Sequence, residues 1–248
     1  MRALDVVIIG GGPAGLFLGR LLRRADPLGR VRLYERHRAD EAYGFGVVFS
    51  DRTMSRLQVG DPQTYERIVA ASVAWTDMEI RLAGKRLRYG GYGFTGVSRR
   101  ALLEILQQQA EEVGAELSFT TELTVASEAD LPAVDVVALA DGVNSTLRQA
   151  NPRWFGSSVG TGAARYIWFG TPAPFDLVTF PLIRTRHGAF GAHAYPYADG
   201  MSTFIVEADE RAWSAAGFAE STLAATQAGD TDEYARVELG RLFADHLG

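Results

Sequence analysis

The stretch Leu4-Asp5-Val6-Val7-Ile8-Ile9-Gly10-Gly11-Gly12-Pro13-Ala14-Gly15 decides the fold. Its first half is a short, continuous apolar run rich in β-branched residues, which predicts a strand buried on both faces. Gly10 to Gly15 is a G-x-G-x-x-G turn. Ala14 to Ala25 predicts a helix with Leu16, Phe17, Leu18, Leu21 and Leu22 on its apolar side. Val31 to Glu35 reads as a second strand, so the segment is a right-handed βαβ unit. In such a unit Gly10 permits the tight turn, Gly12 admits a pyrophosphate to the backbone, and Gly15 lets helix and strand pack closely. The helix start then offers free N–H groups and a positive dipole end to the phosphates. Glu35 ends the next strand twenty residues after Gly15, where an acid accepts hydrogen bonds from a ribose and disfavours a 2′-phosphate. The residues predict a dinucleotide site without separating NAD from FAD.

The whole composition fits that reading. The chain has 248 residues, 47% hydrophobic and 22% charged, enough apolar material for a core in one or two domains. A net charge of −5 argues against a nucleic-acid partner, which needs a basic face. There is no cysteine, which excludes disulfides, thiol catalysis and cysteine-ligated metal. No metal site is expected. Asp5 and Pro13 break any signal-peptide pattern, and no run of eighteen apolar residues predicts a membrane span. The expected setting is cytoplasmic.

Further elements follow along the chain. Residues 39–51, rich in Gly and aromatics, read as a loop over a ligand, and 52–71 as one or two short helices. Thr76 to Leu82 and Lys85 to Tyr89 alternate around Ala83-Gly84 as a hairpin. Ser98 to Val113 is an amphipathic helix with Leu102, Leu103, Ile105 and Leu106 inward, stopped by Gly114. Glu116 to Phe119 and Leu123 to Val125 read as short strands, and Val134 to Ala140 as another buried strand ending at Asp141-Gly142. Beyond Trp154, residues 165–170, 177–183, 189–197 and 201–207 read as antiparallel strands. Helices are expected around 210–216 and 232–247.

Three motifs carry a family likeness: the glycine turn, Val97-Ser98-Arg99-Arg100 opening a helix, and Asp141-Gly142-Val143-Asn144-Ser145-Thr146-Leu147-Arg148. With them the chain resembles the group A aromatic-ring hydroxylases, FAD monooxygenases related to p-hydroxybenzoate hydroxylase. Arg165 to Thr171, His193 to Tyr197, Met201 to Glu207 and Gly44 to Phe49 are similar to the branch of salicylyl-CoA and 2-aminobenzoyl-CoA hydroxylases and the violacein-pathway monooxygenase.

The resemblance implies an α/β fold, a Rossmann-like FAD-binding domain (1–73 and 98–153) interleaved with an antiparallel-sheet substrate domain (74–97 and 154–248). It implies FAD as cofactor, NADH or NADPH as co-substrate, and hydroxylation of an electron-rich aromatic, or an aryl-CoA thioester, by O₂. Arg99 aligns with an arginine set against the FAD phosphates, where a guanidinium fork suits the oxygens. Asp141 and Gly142 belong to the segment that touches FAD, and Gly10, Gly12, Ala14, Gly15, Glu35 and Arg36 complete the expected cofactor set. His193 and Tyr195 share one face of a strand with Tyr197 and are the candidates for the substrate pocket; His193 would orient substrate or handle a proton. A homo-oligomer is compatible with this reading. A flavin-dependent reductase or dehydrogenase on the same fold, or an inactive FAD-binding fragment, are the alternatives. The family's third motif, a Gly-Asp after a buried strand, has no counterpart here: Gly60-Asp61 and Gly229-Asp230 both read as surface turns. The expectation is therefore a chain lacking the family's C-terminal part.

Overall fold

Val6 and Ile8 point to one side of the first strand, Val7 and Ile9 to the other, and all four are buried. This strand, β1 (Asp5–Ile9), is central: it pairs in parallel with β2 (Arg30–Tyr34) and with β7 (Val136–Leu139). With β6 (Glu116–Ser118) beside β2, the order is β6-β2-β1-β7, all parallel. The computed structural model describes residues 2–123, 133–228 and 232–247. They form two compact units, Met1–Tyr43 with Leu57–Ile68 and Arg99–Gly160, and Gly44–Arg56 with Val69–Ser98 and Thr161–Gly248. Residues 44–56 and 69–73, grouped with the dinucleotide domain on sequence, fall in the second unit. The remaining helices are α1 (Pro13–Ala25), α2 (Asp51–Gly60), α3 (Pro62–Ala70), α4 (Arg99–Glu112), α5 (Thr146–Ala150), α6 (Pro152–Phe155), α7 (Glu210–Ala215), α8 (Phe218–Ala228), α9 (Glu233–Leu242) and α10 (Ala244–Leu247).

In the first unit α1 lies on β1 and β2 through Gly19, where an added Cβ would meet Ile8 and Val31 at 3.5 and 3.7 Å. On the other face Leu147 of α5 packs against Val7 and Ile9. The strand expected over 134–140 forms as β7, but it is not fully buried: Val136 is exposed, because among the described residues β7 ends the sheet. Residues 124–125 of the expected short strand lie outside the described residues, as does Gly229-Asp230.

The second unit holds β3 (Gly46–Ser50), β4 (Ser72–Leu82), β5 (Lys85–Ser98), β8 (Ala164–Thr171), β9 (Val178–Thr185), β10 (Gly188–Ala198) and β11 (Met201–Asp209), in the order β3-β5-β4-β9-β10-β11-β8. The hairpin turns at Ala83 and Gly84, both with positive φ, as a two-residue type I′ connection requires. Most pairs are antiparallel as expected, but β4 and β9 run parallel, so the sheet is mixed. Part of the expected ligand loop is instead strand β3, paired antiparallel with β5. Phe190, Ala192 and Ala194 of β10 and Phe204 and Val206 of β11 face a core closed by Trp213, Phe218, Leu239 and Phe243 from α7, the start of α8, α9 and the α9 C-terminus.

The stripe that α1 buries is Gly15, Leu16, Gly19 and Arg20; of the apolar series read from sequence, only Leu16 is among them. Arg20 is 1% exposed and meets Asp61, 0% exposed. The Gly60-Asp61 pair is thus no surface turn. Asp61 precedes α3 and takes hydrogen bonds from Arg20 and from the Thr64 hydroxyl, with Arg24 at 2.7 Å. Arg20 also donates to the Gln109 carbonyl and the Gln63 side chain, both at 2.7 Å. Every nitrogen of the buried guanidinium makes a hydrogen bond, tying α1 to α4 and to the start of α3. Burial pushes the Asp61 carboxyl up, but the bonds from Arg20 and Thr64 and the charges of Arg20 and Arg24 outweigh it, so it is held below its ordinary value. Such a group stabilises the fold at pH above its unfolded pKa of about 3.9 and loses that contribution as pH falls further, through the lower folded value. Asp61→Ala, which strands Arg20, is expected to cost about 3–5 kcal/mol in denaturant unfolding, and Arg20→Met with Asp61→Leu much less. Equal losses in the single and double variants would show that the charge pairing is unimportant.

Candidate dinucleotide site

The C-terminal ends of β1, β2 and β7 open onto a cleft of about 600 Å³ in the first unit, the position at which parallel α/β sheets bind ligands. The chain leaves β1 through Gly10, whose φ of 110° is open to glycine. A Cβ there would stand 2.7 Å from the Asp141 nitrogen. Gly15 is buried behind the turn, where any side chain would strike the Gly10 carbonyl. Gly12 differs from both: an added Cβ would meet nothing within 4 Å, because the residue borders the open cleft. Gly12 is the N-cap of α1, and neither a capping side chain nor an acid in the first turn competes for the helix's first N–H groups.

Glu35 follows β2 and is bound into this turn. Its Oε2 accepts from the Gly11 N–H at 2.7 Å, while Oε1 accepts from the His37 N–H at 2.9 Å and lies 2.8 Å from His37 Nδ1. A carboxylate offers about four lone-pair sites, so Oε2 keeps room for one further donor. Burial raises this carboxyl, but the backbone bonds from His37 and Gly11 and the His37 ring prevail and hold it below its ordinary range.

Arg99 begins α4 and lines the cleft; its Nε is buried with no hydrogen-bond partner among the described residues. A guanidinium that lines the cleft and has an unpartnered donor fits an anionic ligand. Asp141, Gly142, Asn144 and Thr146 form the wall after β7. Ser145 caps α5 by accepting from the Arg148 N–H at 3.3 Å, and Arg148 turns back to the Gly142 carbonyl at 3.0 Å and to the Val143 carbonyl. These two residues hold the turn's shape, and Arg148 does not line the cleft.

Of the residues picked from sequence, Gly10, Gly12, Ala14, Glu35, Arg36, Arg99, Asp141 and Gly142 line this one cleft. Gly15 supports it from beneath. The sequence reading missed His37, which clamps Glu35 and stands edge-on to Tyr43 at 5.3 Å, and Gln107, held to the Ala39 carbonyl at 3.0 Å. Its position two residues beyond a strand-ending acid, on the same side of an extended chain, is the signal that finds His37.

His193 and Tyr195 lie in the second unit on β10, their rings parallel within 7° at 6.5 Å. Tyr195 is 4% exposed, donates its hydroxyl to the Gly46 carbonyl at 2.9 Å, and stacks on Trp75. His193 is half-buried beside Phe180, and burial lowers its pKa below the ordinary value despite the opposing charge of Glu207. The shift favours the uncharged imidazole. Among the described residues no group of three His, Asp or Glu is placed to hold a metal, and no helix is long and apolar enough to cross a membrane.

Gly12→Val is expected to abolish FAD binding in a flavin titration while leaving the unfolding midpoint nearly unchanged, since the new side chain enters only the cleft. Gly15→Val, which collides with backbone, is expected to destabilise the unit itself. Unchanged flavin affinity in Gly12→Val would remove the pyrophosphate from this turn.

Salicyloyl-CoA 5-hydroxylase of a Streptomyces species is 41% identical over 240 residues, 97% of this chain and 46% of its own. Protodeoxyviolaceinate monooxygenase of Chromobacterium violaceum is 32% identical over 223 residues, 88% of this chain and 58% of its own. The chain thus spans about half the length of the curated relatives it matches. Among solved structures, the tetrameric form of 2-methyl-3-hydroxypyridine-5-carboxylic acid oxygenase shares the fold with a TM-score of 0.70 at 17% identity, covering 84% of this chain and 60% of that one. A flavoprotein/dehydrogenase of Cytophaga hutchinsonii reaches 0.62 at 14% identity, covering 84% and 56%. The family model described as the FAD binding domain matches residues 3–151, the stretch that builds the cleft, and the chain belongs to that family.

Proposed function

We propose that the protein is a FAD-dependent monooxygenase that hydroxylates an electron-rich aromatic ring, presented as an aryl-CoA thioester, at the expense of NAD(P)H and O₂. The observation that carries the cofactor half is the convergence of Gly12, Glu35, Arg99 and Asp141-Gly142 on one cleft. The 41% identity to a salicyloyl-CoA 5-hydroxylase supports the substrate half. Bound FAD supplies the redox and oxygen chemistry; the polypeptide binds, orients and shields.

Each residue has a distinct part in this reading. Gly12 and the first N–H groups of α1, Ala14 among them, receive the pyrophosphate. The vacant Nε of Arg99 adds a charged donor to it. Glu35, with one lone pair left on Oε2, takes a ribose hydroxyl, and Arg36 borders the same end of the cleft. Asp141 and Gly142 border the cleft beyond β7. On β10 the neutral His193 offers one donor or acceptor to a ring hydroxyl, and Tyr195, its own hydroxyl spent on Gly46, serves as an apolar wall. A cytoplasmic setting, with its supply of reduced nicotinamide, belongs to the same reading.

Arg99→Ala is expected to weaken FAD binding by about ten- to a hundredfold, the worth of a charge-assisted hydrogen bond. Arg99→Lys should recover only part of it, since an ammonium lacks the planar fork. His193→Phe is expected to raise KM for the aromatic substrate with FAD affinity unchanged. The decisive measurement is oxygen uptake with mass spectrometry of the product from ¹⁸O₂. A reduced or dehydrogenated product without incorporated label would replace hydroxylation with dehydrogenation.

A further inference from the structure

The second unit's sheet has one helix-covered face, and its other face changes character along β5, β4 and β9. Register places Lys85 beside Leu82, Leu82 beside Leu182, and Leu87 beside Ile80, and pleating sends these side chains to the face that carries Phe180 and His193. Leu82, Leu87, Tyr89 and Leu182 are between 39% and 51% exposed on it, an apolar patch that neighbouring strands make continuous. Its end is basic: Lys85 opens β5, Arg184 follows Leu182 on the same face, and Arg186 sits in the turn after β9. Lys85 and Arg184 form no ion pair or hydrogen bond among the described residues, and Arg186 meets only His187, at 2.9 Å. From Met78 to Leu82, Lys85 to Tyr89 and Val178 to Arg184 this face bears no carboxylate. The acids of the hairpin, Asp77 and Glu79, lie on the opposite face, paired with Arg88 and Arg81. The first carboxylates on the patch's own face are Glu207 and Asp209, two strands away on β11; Asp209 caps α7.

The geometry of the track matches one kind of ligand. Phe180, whose ring lies 6.3 Å from His193, is four residues before Arg184, about 13 Å along an extended strand. A ligand lying there would have its ring near His193, a long arm laying methylene and methyl groups over Leu182 and Leu82, and an anionic end among Lys85, Arg184 and Arg186. We propose that this face binds the pantetheine arm and phosphorylated nucleotide of an aryl-CoA thioester. The inference rests on the thioester reading of the function and adds the surface that recognises the carrier.

The test compares two probes on the FAD-loaded protein: benzoyl-CoA and benzoyl N-acetylcysteamine thioester, the same acyl thioester without phosphates. Lys85→Glu with Arg184→Glu and Arg186→Glu is expected to weaken benzoyl-CoA binding by about tenfold, the sum of three exposed charge contacts. Binding of the phosphate-free thioester should stay as in the wild type. Raising ionic strength should reproduce the selective loss in the unaltered protein. Equal binding of the two probes by the wild type, independent of salt, would overturn the assignment even if the triple variant failed to fold. So would a benzoyl-CoA preference that survives the triple substitution. A protein indifferent to the phosphates of CoA, yet binding an aryl-loaded carrier protein through the same three cations, would overturn it in favour of a protein partner. Patch-dependent binding of benzoyl-CoA without oxygen incorporation into any thioester would sink the hydroxylase reading and leave this surface standing. Hydroxylation of thioesters without patch dependence would do the reverse.

Discussion

The first unit is organised around one crowded point, where the Gly10–Gly12 turn is pressed between Ala140-Asp141 and Glu35. There is no room for a side chain on Gly10 beside the β7 exit, and the Gly11 N–H is satisfied by a carboxylate from the next strand. That carboxylate is in turn gripped by the backbone and ring of His37. Three strand ends are thereby fixed relative to one another by interactions at hydrogen-bond length. The opening they leave, not any single side chain, is the cleft that we propose receives the dinucleotide. Removing the Glu35 carboxylate would orphan a part-buried N–H and release His37 together, so its role in shaping the site cannot be separated from a role in contacting a ribose by a loss of affinity alone. A carboxamide at the same position, able to accept from Gly11 but carrying no charge, divides the two.

Behind that point the helices are anchored by a buried ion pair where the sequence offers leucines. Arg20 and Asp61 are costly to desolvate, and a well-packed apolar pair of similar size could serve stability equally. What the pair provides is direction. A guanidinium reaching Asp61, Gln63 and the Gln109 carbonyl at once accepts only one rotation of α1 against α4 and one entry angle for α3. The rotation of α1 sets where its N-terminus points, and that end faces the cleft. The network thus acts as a specificity device, and the double apolar variant is the case in which stability and orientation come apart.

Much of this was legible in the sequence, for physical reasons that also mark the limit. The glycine turn, Glu35, Arg99 and Asp141-Gly142 are recognised because each acts within its own strand–turn–helix, where spacing alone fixes geometry. The Ala83-Gly84 hairpin is likewise local. Arg20 was hidden because its partner is 41 residues away, and periodicity ranks a cation as solvent-facing. The parallel pairing of β4 with β9 joins segments separated by nearly a hundred residues, and no local pattern reports such a neighbour. Strand β3 was read as loop because Gly44 and Gly46 dominate its start; those glycines are needed since Trp168 and Tyr197 occupy the space a side chain would fill. Helix α8 was missed because its apolar and polar residues do not separate into faces.

The two faces of β10 show how the second unit can carry chemistry at little cost to its fold. Even-numbered Phe190, Ala192 and Ala194 are sealed under helices and hold the sheet. Odd-numbered His193 and Tyr195 share the other face with Trp75, Phe94 and Phe180, where ring centroids lie 6.0–6.5 Å apart. Aromatic side chains cover wide area with few rotatable bonds, so such a wall is rigid before any ligand arrives. Burial lowers the pKa of the imidazole in it, His193, which favours the neutral ring, and a neutral imidazole carries one N–H donor and one lone-pair acceptor. Because period two separates the two faces within a single strand, residues on the ring face can change while the helix-covered face continues to hold the fold.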